Sequence, residues 1–291
     1  MSTAYLLIAH GSRDPRSQTA LNRLAQLVRE QLTSRGEARQ QDVNTLALTS
    51  QAASFSPANC SKPVSLSSGA NRVATATLQR PSRTSLGASV VVGAAVLECS
   101  PLSLKQQIYE FGQRVKAAGI RQLKLVPIFL MAGVHVVDDL PTEVSAAQQQ
   151  LGGDLELVLC EHLGSRPELR QLLRDRLAAH PKAGRLMVAH GSRRRHGNRK
   201  IEALARELSV AVAYWSVPPD LESQTIALMQ QGAQTIAIAP YFLFSGGITD
   251  AIAHRTEELA ERFPKIKFRL LPPLGASAAL AKIVVNLVKA S

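Results

Sequence analysis

The sequence has few cysteines and no long hydrophobic run, and both shortages exclude whole classes of protein. Its three cysteines, Cys60, Cys99 and Cys160, are odd in number and widely spaced. This pattern argues against a disulfide framework, an iron–sulfur cluster or a structural zinc site, and it predicts reduced thiols. No stretch approaches the roughly 20 apolar residues that a membrane-spanning helix needs. The first strand is predicted to begin by about Ala4, which leaves no room for a signal or transit peptide, so we expect a soluble, cytoplasmic protein that does not enter a membrane.

Aromatic residues are also scarce, at 4% of the chain. The net charge of +12 suggests an acidic partner, but charge alone does not choose between nucleic acid, a membrane surface and a polyanionic small molecule. The basic residues are scattered apart from the run Arg193–His196, and few aromatic side chains are available to stack on bases, so we expect no nucleic-acid partner. The chain lacks both Gly-x-Gly-x-x-Gly and a Walker loop, which argues against a nucleotide-binding regulatory protein.

What the sequence does have is an internal repeat. The pentapeptide Ala-His-Gly-Ser-Arg occurs at 9–13 and again at 189–193, each time directly after a short apolar run that is typical of a buried parallel strand. A second pair of similar segments lies at 127–133 and 240–246. Two matching pairs in the same order indicate a duplicated domain.

Strand and helix patterns alternate along both halves. This alternation predicts an α/β fold of two similar lobes, each with a doubly wound parallel sheet. Residues 1–150 form the first lobe, 151–182 supply its last strand and helix and the connection, and 183–291 form the second lobe. Residues 38–87 are rich in Ser, Thr, Ala, Gln and Pro without a regular period, so we expect an inserted, disordered loop there. Residues 130–141 are predicted to be a loop before the next helix.

Three potential metal ligands follow predicted strands of the first lobe: His10, Glu98 and His135. The carboxyl ends of parallel strands share one edge of the sheet, where ligands of doubly wound folds bind, so these side chains are expected to gather there. Imidazole and carboxylate groups bind cobalt, iron, nickel and zinc, and the trio makes an open metal site plausible. The alternative to metal binding is that a histidine after a strand is a loop residue that forms a hydrogen bond with the backbone. Asp138 and Asp139 fit either a helix-capping role or support for a neighbouring histidine.

Several segments of the first half together resemble a known family. Residues 7–15 read Leu-Ile-Ala-His-Gly-Ser-Arg-Asp-Pro, residues 97–98 read Leu-Glu, and residues 127–141 combine Pro-Ile-Phe-Leu with Gly-Val-His-Val-Val-Asp-Asp-Leu-Pro. This set closely resembles the sirohydrochlorin chelatases of the CbiX and SirB type, which are class II chelatases. The resemblance covers both halves and excludes only the predicted insert.

The resemblance implies a lyase-type metal chelatase that inserts Co²⁺ or Fe²⁺ into sirohydrochlorin, an acidic tetrapyrrole, on the way to cobalamin or sirohaem. It implies two facing lobes with the macrocycle between them, the metal as a substrate and no organic cofactor. On the same basis, His10 and His135 would bind the metal and take up pyrrole protons, with Glu98 assisting. Histidine suits this task because metallation requires bases that accept protons near neutral pH.

The second half departs from the family pattern. Aligning the repeats sets Ser216 opposite Glu98 and Ile248 opposite His135, so only His190 of the trio is retained. We therefore predict one active site, on the first lobe, with the second lobe as a lid and charged wall. The candidate contacts to substrate carboxylates lie in or directly after the two repeated turns. They are Ser12, Arg13, His190, Ser192, Arg193 and Arg194. The alternatives are a solvated basic loop and hydroxyls that only close the turns.

Several questions stay open at the level of sequence. A non-catalytic carrier of tetrapyrrole or metal is the alternative to an enzyme. The ligand types suit cobalt, iron and nickel alike, so neither the metal nor the choice between cobalamin and sirohaem follows from them. The role of residues 38–87 and the oligomeric state are open as well, although a duplicated chain can supply both walls of a cleft, which makes a monomer feasible.

Overall fold

Alternating strands and helices give each half of the chain its own parallel sheet. The structure is a computed structural model that describes residues 3–51, 90–194 and 196–290, with the side chains of 35–51 outside the description. The elements of the first lobe, in chain order, are β1 (Thr3–Ala9), α1 (Pro15–Gln51), β2 (Val91–Val96), α2 (Leu104–Ala117), β3 (Gln122–Pro127), a π-helical turn (His135–Asp139), α3 (Leu140–Leu151), β4 (Glu156–Leu159), a 3₁₀ turn (Leu163–Ser165) and α4 (Pro167–Ala178).

The second lobe repeats this order, and its described residues contain neither the π-helical turn nor the 3₁₀ turn. Its elements are β5 (Gly184–Ala189), α5 (Arg199–Leu208), β6 (Ala211–Tyr214), α6 (Leu221–Gln230), β7 (Thr235–Pro240), α7 (Gly247–Arg262), β8 (Lys267–Leu270) and α8 (Ala278–Ala290). Among the described residues, the strand order is β2-β1-β3-β4 in the first sheet and β6-β5-β7-β8 in the second, and every pairing is parallel. The predicted fold class, two similar parallel-sheet lobes, is confirmed.

The apolar runs before the repeated pentapeptides form the central strands. In β1, Leu6, Leu7 and Ile8 are all fully buried, because helices cover both faces of the sheet and neighbouring strands flank it on both sides. The second lobe buries Leu186 and Val188 of β5 in the same way. These two strands fix where each repeated turn begins, at the carboxyl edge of each sheet.

The described residues form three hydrophobic clusters, and one of them joins the two lobes. One cluster lies within the first lobe and one within the second. The third and largest is shared, since it contains Leu21 and Leu24 of α1 together with Ile201 of α5 and Val284 and Leu287 of α8. Burial of each such side chain stabilises the fold by roughly 2 kcal/mol. The lobes therefore share one apolar interior, and their carboxyl edges are held in a defined arrangement.

Helix α1 is longer than the sequence pattern predicts. It continues through Gln51, so residues 38–51 are helical where a disordered loop is expected. The segment contains Ala, Leu, Gln and Arg, which favour helix even where no apolar period is present. Residues 52–87 of the predicted insert lie outside the described residues. Among the residues that are described, no helix is both long and apolar enough to cross a bilayer.

Candidate metal centre

The turn after β1 presses against the turn after β2. His10 follows β1 directly, and its carbonyl accepts the backbone N–H of Glu98 at 2.8 Å. Gly11 has φ of +98°, and a Cβ at this position would lie 2.0 Å from the carbonyl oxygen of Glu98. Only glycine satisfies both the left-handed backbone and this close approach. The result is that the side chains of His10 and Glu98 emerge side by side.

These two side chains approach each other without forming a tight pair. Nε2 of His10 lies 4.0 Å from Oε2 of Glu98, and each side chain is 53% exposed. At that distance the imidazole and the carboxylate remain free to turn toward a third group. Their exposure leaves the pair open to solvent and to an incoming ligand.

The third group, His135, lies in a helical turn rather than in a loop. The prediction of a loop for residues 130–141 is wrong from residue 135 onward, because His135–Asp139 form a π-helical turn that leads into α3. The N–H of Leu140 donates to the carbonyl of His135, five residues back, which is the bonding of a π-helical turn. The wider turn positions the imidazole of His135 at the sheet edge.

His10, Glu98 and His135 form one cluster. The rings of the two histidines have centroids 4.8 Å apart and planes tilted by 33°. One ligand atom from each of the three residues can be chosen so that all lie within 4.8 Å of one another. Metal–nitrogen bonds are about 2.1 Å long, so two ligand atoms on one ion are at most about 4.2 Å apart. Small side-chain rotations would therefore bring the three groups to bonding distance.

Asp139 orients His135 for this role. Nδ1 of His135 donates to Oδ2 of Asp139 at 2.7 Å, across one helical turn. With the proton held at Nδ1, the lone pair of Nε2 is available to a metal, and carboxylates commonly fix metal-binding histidines in this way. Asp138 differs, since it is exposed and only its backbone carbonyl accepts a bond, from Thr142. Of the two roles considered for these aspartates, Asp139 takes the one that supports the histidine.

The second lobe keeps the backbone of this arrangement without its ligands. The N–H of Ser216 donates to the carbonyl of His190 at 2.9 Å, as the N–H of Glu98 does to that of His10. Ser216 therefore occupies the place of Glu98. Its hydroxyl donates to the carbonyl of His190 at 2.8 Å. The imidazole of His190 is itself bonded through Nδ1 to the carbonyl of Gly191 at 3.0 Å.

The counterpart of His135 is also absent from the second lobe. Ile248 lies one residue after the start of α7 and packs against the core of its own lobe. Within the described part of this lobe, no group of histidine, cysteine and carboxylate ligands resembles the cluster of the first lobe. His190 therefore lies at the equivalent sheet edge without the two partners that would complete a metal site.

The two serines of the repeated turns bond to their own backbone. Oγ of Ser12 accepts the N–H of Asp14 at 3.1 Å, and Oγ of Ser192 accepts the N–H of Arg194 at 3.2 Å. Such bonds close a turn, which is the alternative considered for both hydroxyls. The remaining candidates for substrate contact, namely Arg13, His190, Arg193 and Arg194, are exposed.

Sequence reasoning missed a link between the first turn and the second lobe. Arg16 donates from Nη2 to Oδ2 of Asp14 at 2.6 Å and from Nη1 to Oδ1 of Asp250 at 3.2 Å. The hydrogen bonds from Arg16 lower the pKa of Asp14. Beside them, Oγ of Ser17 donates to the carbonyl of Ser245 at 3.3 Å. The turn that carries His10 is thus attached to the N-terminal end of α7, through residues too far apart in sequence to form a local pattern.

The fold defines a class of two-lobed parallel α/β proteins, and the cluster adds an open group of potential metal ligands at the edge of the first sheet. The model of the CbiX family matches residues 69–180 and 184–291, once in each half, so this chain belongs to the CbiX family. The family resemblance inferred from the motifs is thereby confirmed. The first matched range includes Glu98 and His135 but begins after His10, whereas the second includes His190.

Individual relatives agree with this assignment. The chain is 32% identical over 111 residues to the chloroplastic sirohydrochlorin ferrochelatase of Arabidopsis thaliana, a match that covers 35% of this chain and 49% of the relative. The chain thus spans about half the length of that curated relative. It shares its fold with SirB from Bacillus subtilis with Fe³⁺, at a TM-score of 0.61 and 16% identity over 99% of this chain and 95% of that one.

Two more solved structures have the same fold. SirB from Bacillus subtilis subspecies spizizenii in complex with cobalt matches with a TM-score of 0.59 and 15% identity, over 99% of this chain and 94% of that one. CbiX described as the terminal enzyme of siroheme biosynthesis in denitrifying bacteria matches with a TM-score of 0.56 and 19% identity, over 99% of both chains. These structures support the two-lobed architecture described above.

Proposed function

We propose that this protein inserts a divalent metal, Co²⁺ or Fe²⁺, into sirohydrochlorin. The observation that carries the proposal is the cluster of His10, Glu98 and His135, whose ligand atoms lie within 4.8 Å of one another in a chain of the CbiX family. The Arabidopsis relative is a sirohydrochlorin ferrochelatase, which supports sirohydrochlorin as the substrate. The SirB structures with Fe³⁺ and with cobalt support the choice of metals.

The metal is a substrate that the cluster holds before transfer. Two imidazoles and one carboxylate are ligands that bind Co²⁺ and Fe²⁺ and leave coordination positions free. The ring nitrogens of the tetrapyrrole could then enter from the open side. Asp139 holds the proton of His135 on Nδ1, and the lone pair of Nε2 is therefore available to the metal. A site of this kind captures the ion and can still release it.

Proton removal is the second part of the reaction. The free-base ring carries two pyrrole N–H protons, and a dication that takes their place releases both, so charge and atoms balance when two protons leave. His10 and Glu98 lie 4.0 Å apart at this edge and are suited to accept protons in turn. Because both side chains are 53% exposed, the protons can pass on to water.

The second lobe would form the other wall of the substrate cleft. Arg193 and Arg194 are exposed in the turn that repeats the His10 turn, and guanidinium groups pair well with the carboxylates of an acidic tetrapyrrole. His190 lies at the same edge. Since one chain provides both lobes, a monomer would suffice for the reaction.

An anaerobic metallation assay tests this function directly. Purified protein is mixed with excess sirohydrochlorin and Co²⁺, Fe²⁺ or Ni²⁺ in parallel, and product is followed by its absorbance. We expect many equivalents of metallated product per protein, and the relative rates identify the preferred metal. A rate equal to that without protein, or uptake that stops at one equivalent as in a carrier, would overturn the proposal. The His190→Ala variant serves as the matched control for His10→Ala.

A further inference from the structure

A basic pocket lies at the other edge of the second sheet. It has a volume of about 270 Å³ and is lined by the connection between α4 and β5 and by the first residues of β7 and β8. The side chains that give it its chemistry are His180, Lys182, Thr235, Lys267 and Arg269. None of the described residues that line it is acidic.

The strand register brings these groups together. Thr235 pairs with Lys267 across β7 and β8, and Arg269 follows Lys267 two residues later. Residues two apart in a strand face the same side of the sheet, so the two cations point the same way. Lys182 approaches from the preceding connection, so that cationic groups from two separate segments converge on one depression.

Among the residues that the structure describes, no ion pair neutralises Lys182, Lys267 or Arg269. Within the part of the chain that the structure describes, the ion pairs involve other arginines, lysines and histidines, such as Arg170 and Arg174 with Glu207. Lys182 and Lys267 are exposed, and Arg269 is exposed beside them. Convergence of like charges is unfavourable by itself, and an anion bound among them would relieve it.

The pocket is separate from the metal centre. It lies at the amino ends of β5, β7 and β8, whereas His190 and the repeated turn lie at the carboxyl end of β5. The six residues of β5 span roughly 20 Å at about 3.3 Å per residue. The tetrapyrrole proposed above, held at the carboxyl edges, would not reach this depression.

We propose that this pocket binds a small oxyanion ligand with two or more negative charges. Lysine and arginine donors with a threonine hydroxyl recognise phosphate and carboxylate oxygens alike, and arginine binds either in a bidentate manner. The volume of this open depression admits a compact ligand such as a diphosphate or a tricarboxylate. This proposal is independent of the function assigned to the metal centre.

Calorimetric titration with two probes tests it. Pyrophosphate represents phosphate ligands, and citrate represents carboxylate ligands. We expect at least one of the two probes to bind saturably, with one equivalent per protein. The probe that binds with the higher affinity shows whether the ligand carries phosphate or carboxylate groups. The double variant Lys267→Gln with Arg269→Gln should weaken that binding by about tenfold or more, because charge-assisted hydrogen bonds are lost. The thermal unfolding midpoint of the double variant should equal that of the unmodified protein, which shows that the variant is folded.

Lys265→Gln is the matched control, since Lys265 is exposed, carries the same charge as Lys267 and lies two residues before β8 but does not line the pocket. We expect this variant to change the affinity for the probe by less than about twofold, because the charge that it removes lies outside the site. Absence of saturable binding of both probes, or an equal loss in the control, would overturn the proposal. A mixed-sequence single-stranded oligonucleotide that binds more tightly than either probe, and is lost in the double variant, would assign the surface to nucleic acid instead.

Discussion

The two lobes place the same turn on the same backbone and differ in the side chains around it. Glu98 and Ser216 each donate a backbone N–H to the carbonyl of the histidine in their own lobe, at 2.8 and 2.9 Å. The carboxylate of Glu98 stays available at the edge, whereas the hydroxyl of Ser216 turns back to that carbonyl. Both lobes therefore retain the backbone of this turn, and among the described residues only the first lobe combines it with a cluster of potential metal ligands.

The largest difference between the lobes should follow from the histidines. We expect His10→Ala and His135→Ala each to lower kcat/KM for metallation by about a hundredfold or more, because each removes a ligand from the cluster. His190→Ala should change it by less than about threefold, as expected for an exposed side chain outside the cluster. Steady-state assays of the three variants make the comparison. Equal losses at all three positions would show that both lobes contribute to one site.

The glycines of the two turns offer a second comparison. Gly11→Ala introduces a Cβ that would lie 2.0 Å from the carbonyl oxygen of Glu98, whereas Gly191→Ala would meet side-chain atoms of Tyr214 and Val217 at 2.8 Å. Both residues have positive φ. We expect each variant to lose roughly 1–3 kcal/mol of stability from backbone strain, and Gly11→Ala in addition to lose activity because Glu98 is displaced. Thermal unfolding and metallation rates, measured together, separate the effects. Full activity of folded Gly11→Ala would contradict the assigned packing.

The hydrogen bond from His135 to Asp139 has no counterpart at Ile248. Asp139→Asn should weaken cobalt binding by about 10- to 100-fold, since the amide supports the required tautomer of the imidazole less well than a carboxylate does. Asp138→Asn is the control, because Asp138 is exposed and contributes only its backbone carbonyl in the structure. Cobalt titration followed by visible absorption checks both variants. Unchanged cobalt affinity in Asp139→Asn would show that Asp139 does not support the metal-binding form of His135.

The smallest effect is expected where the lobes are linked. Arg16→Met breaks the contacts to Asp14 and Asp250, and because exposed ion pairs stabilise little, kcat/KM should fall by less than about threefold. The pKa of Asp14 is lowered by Arg16, so the contact between Asp14 and Arg16 within the turn is intact above the ordinary pKa of that carboxyl and is lost as pH falls through the lowered value. A pH titration of activity in both proteins checks this. A large loss at neutral pH would indicate that the link positions His10.

Much of this architecture is predictable from local pattern. Buried parallel strands are recognisable in the sequence as apolar runs. Because the carboxyl ends of such strands share one edge of the sheet, His10, Glu98 and His135 are predicted to lie together. The repeat supplies the alignment that sets Ser216 opposite Glu98, and the backbone bonds of the two turns agree with it. These features depend on residues close in sequence or on a periodic signal.

The features that sequence reasoning missed depend on non-local or subtle geometry. The π-helical turn differs from an α-helical turn in that the Leu140 N–H bonds five residues back instead of four, and this difference leaves no trace in the composition. The contact of Arg16 with Asp250 joins residues 234 apart, and no local pattern signals it. Residues 38–51 lack an apolar period, yet their helix-favouring composition continues α1.

The stoichiometry of cobalt binding tests the central claim most directly, which is that the first lobe alone carries the metal centre. Anaerobic titration of the full chain with Co²⁺, followed by visible absorption, should give one equivalent at the cluster of His10, Glu98 and His135. The His190→Ala variant should retain that equivalent, and His10→Ala should lose it. Two equivalents in the unmodified chain, or one equivalent that persists in His10→Ala and disappears in His190→Ala, would contradict the assignment.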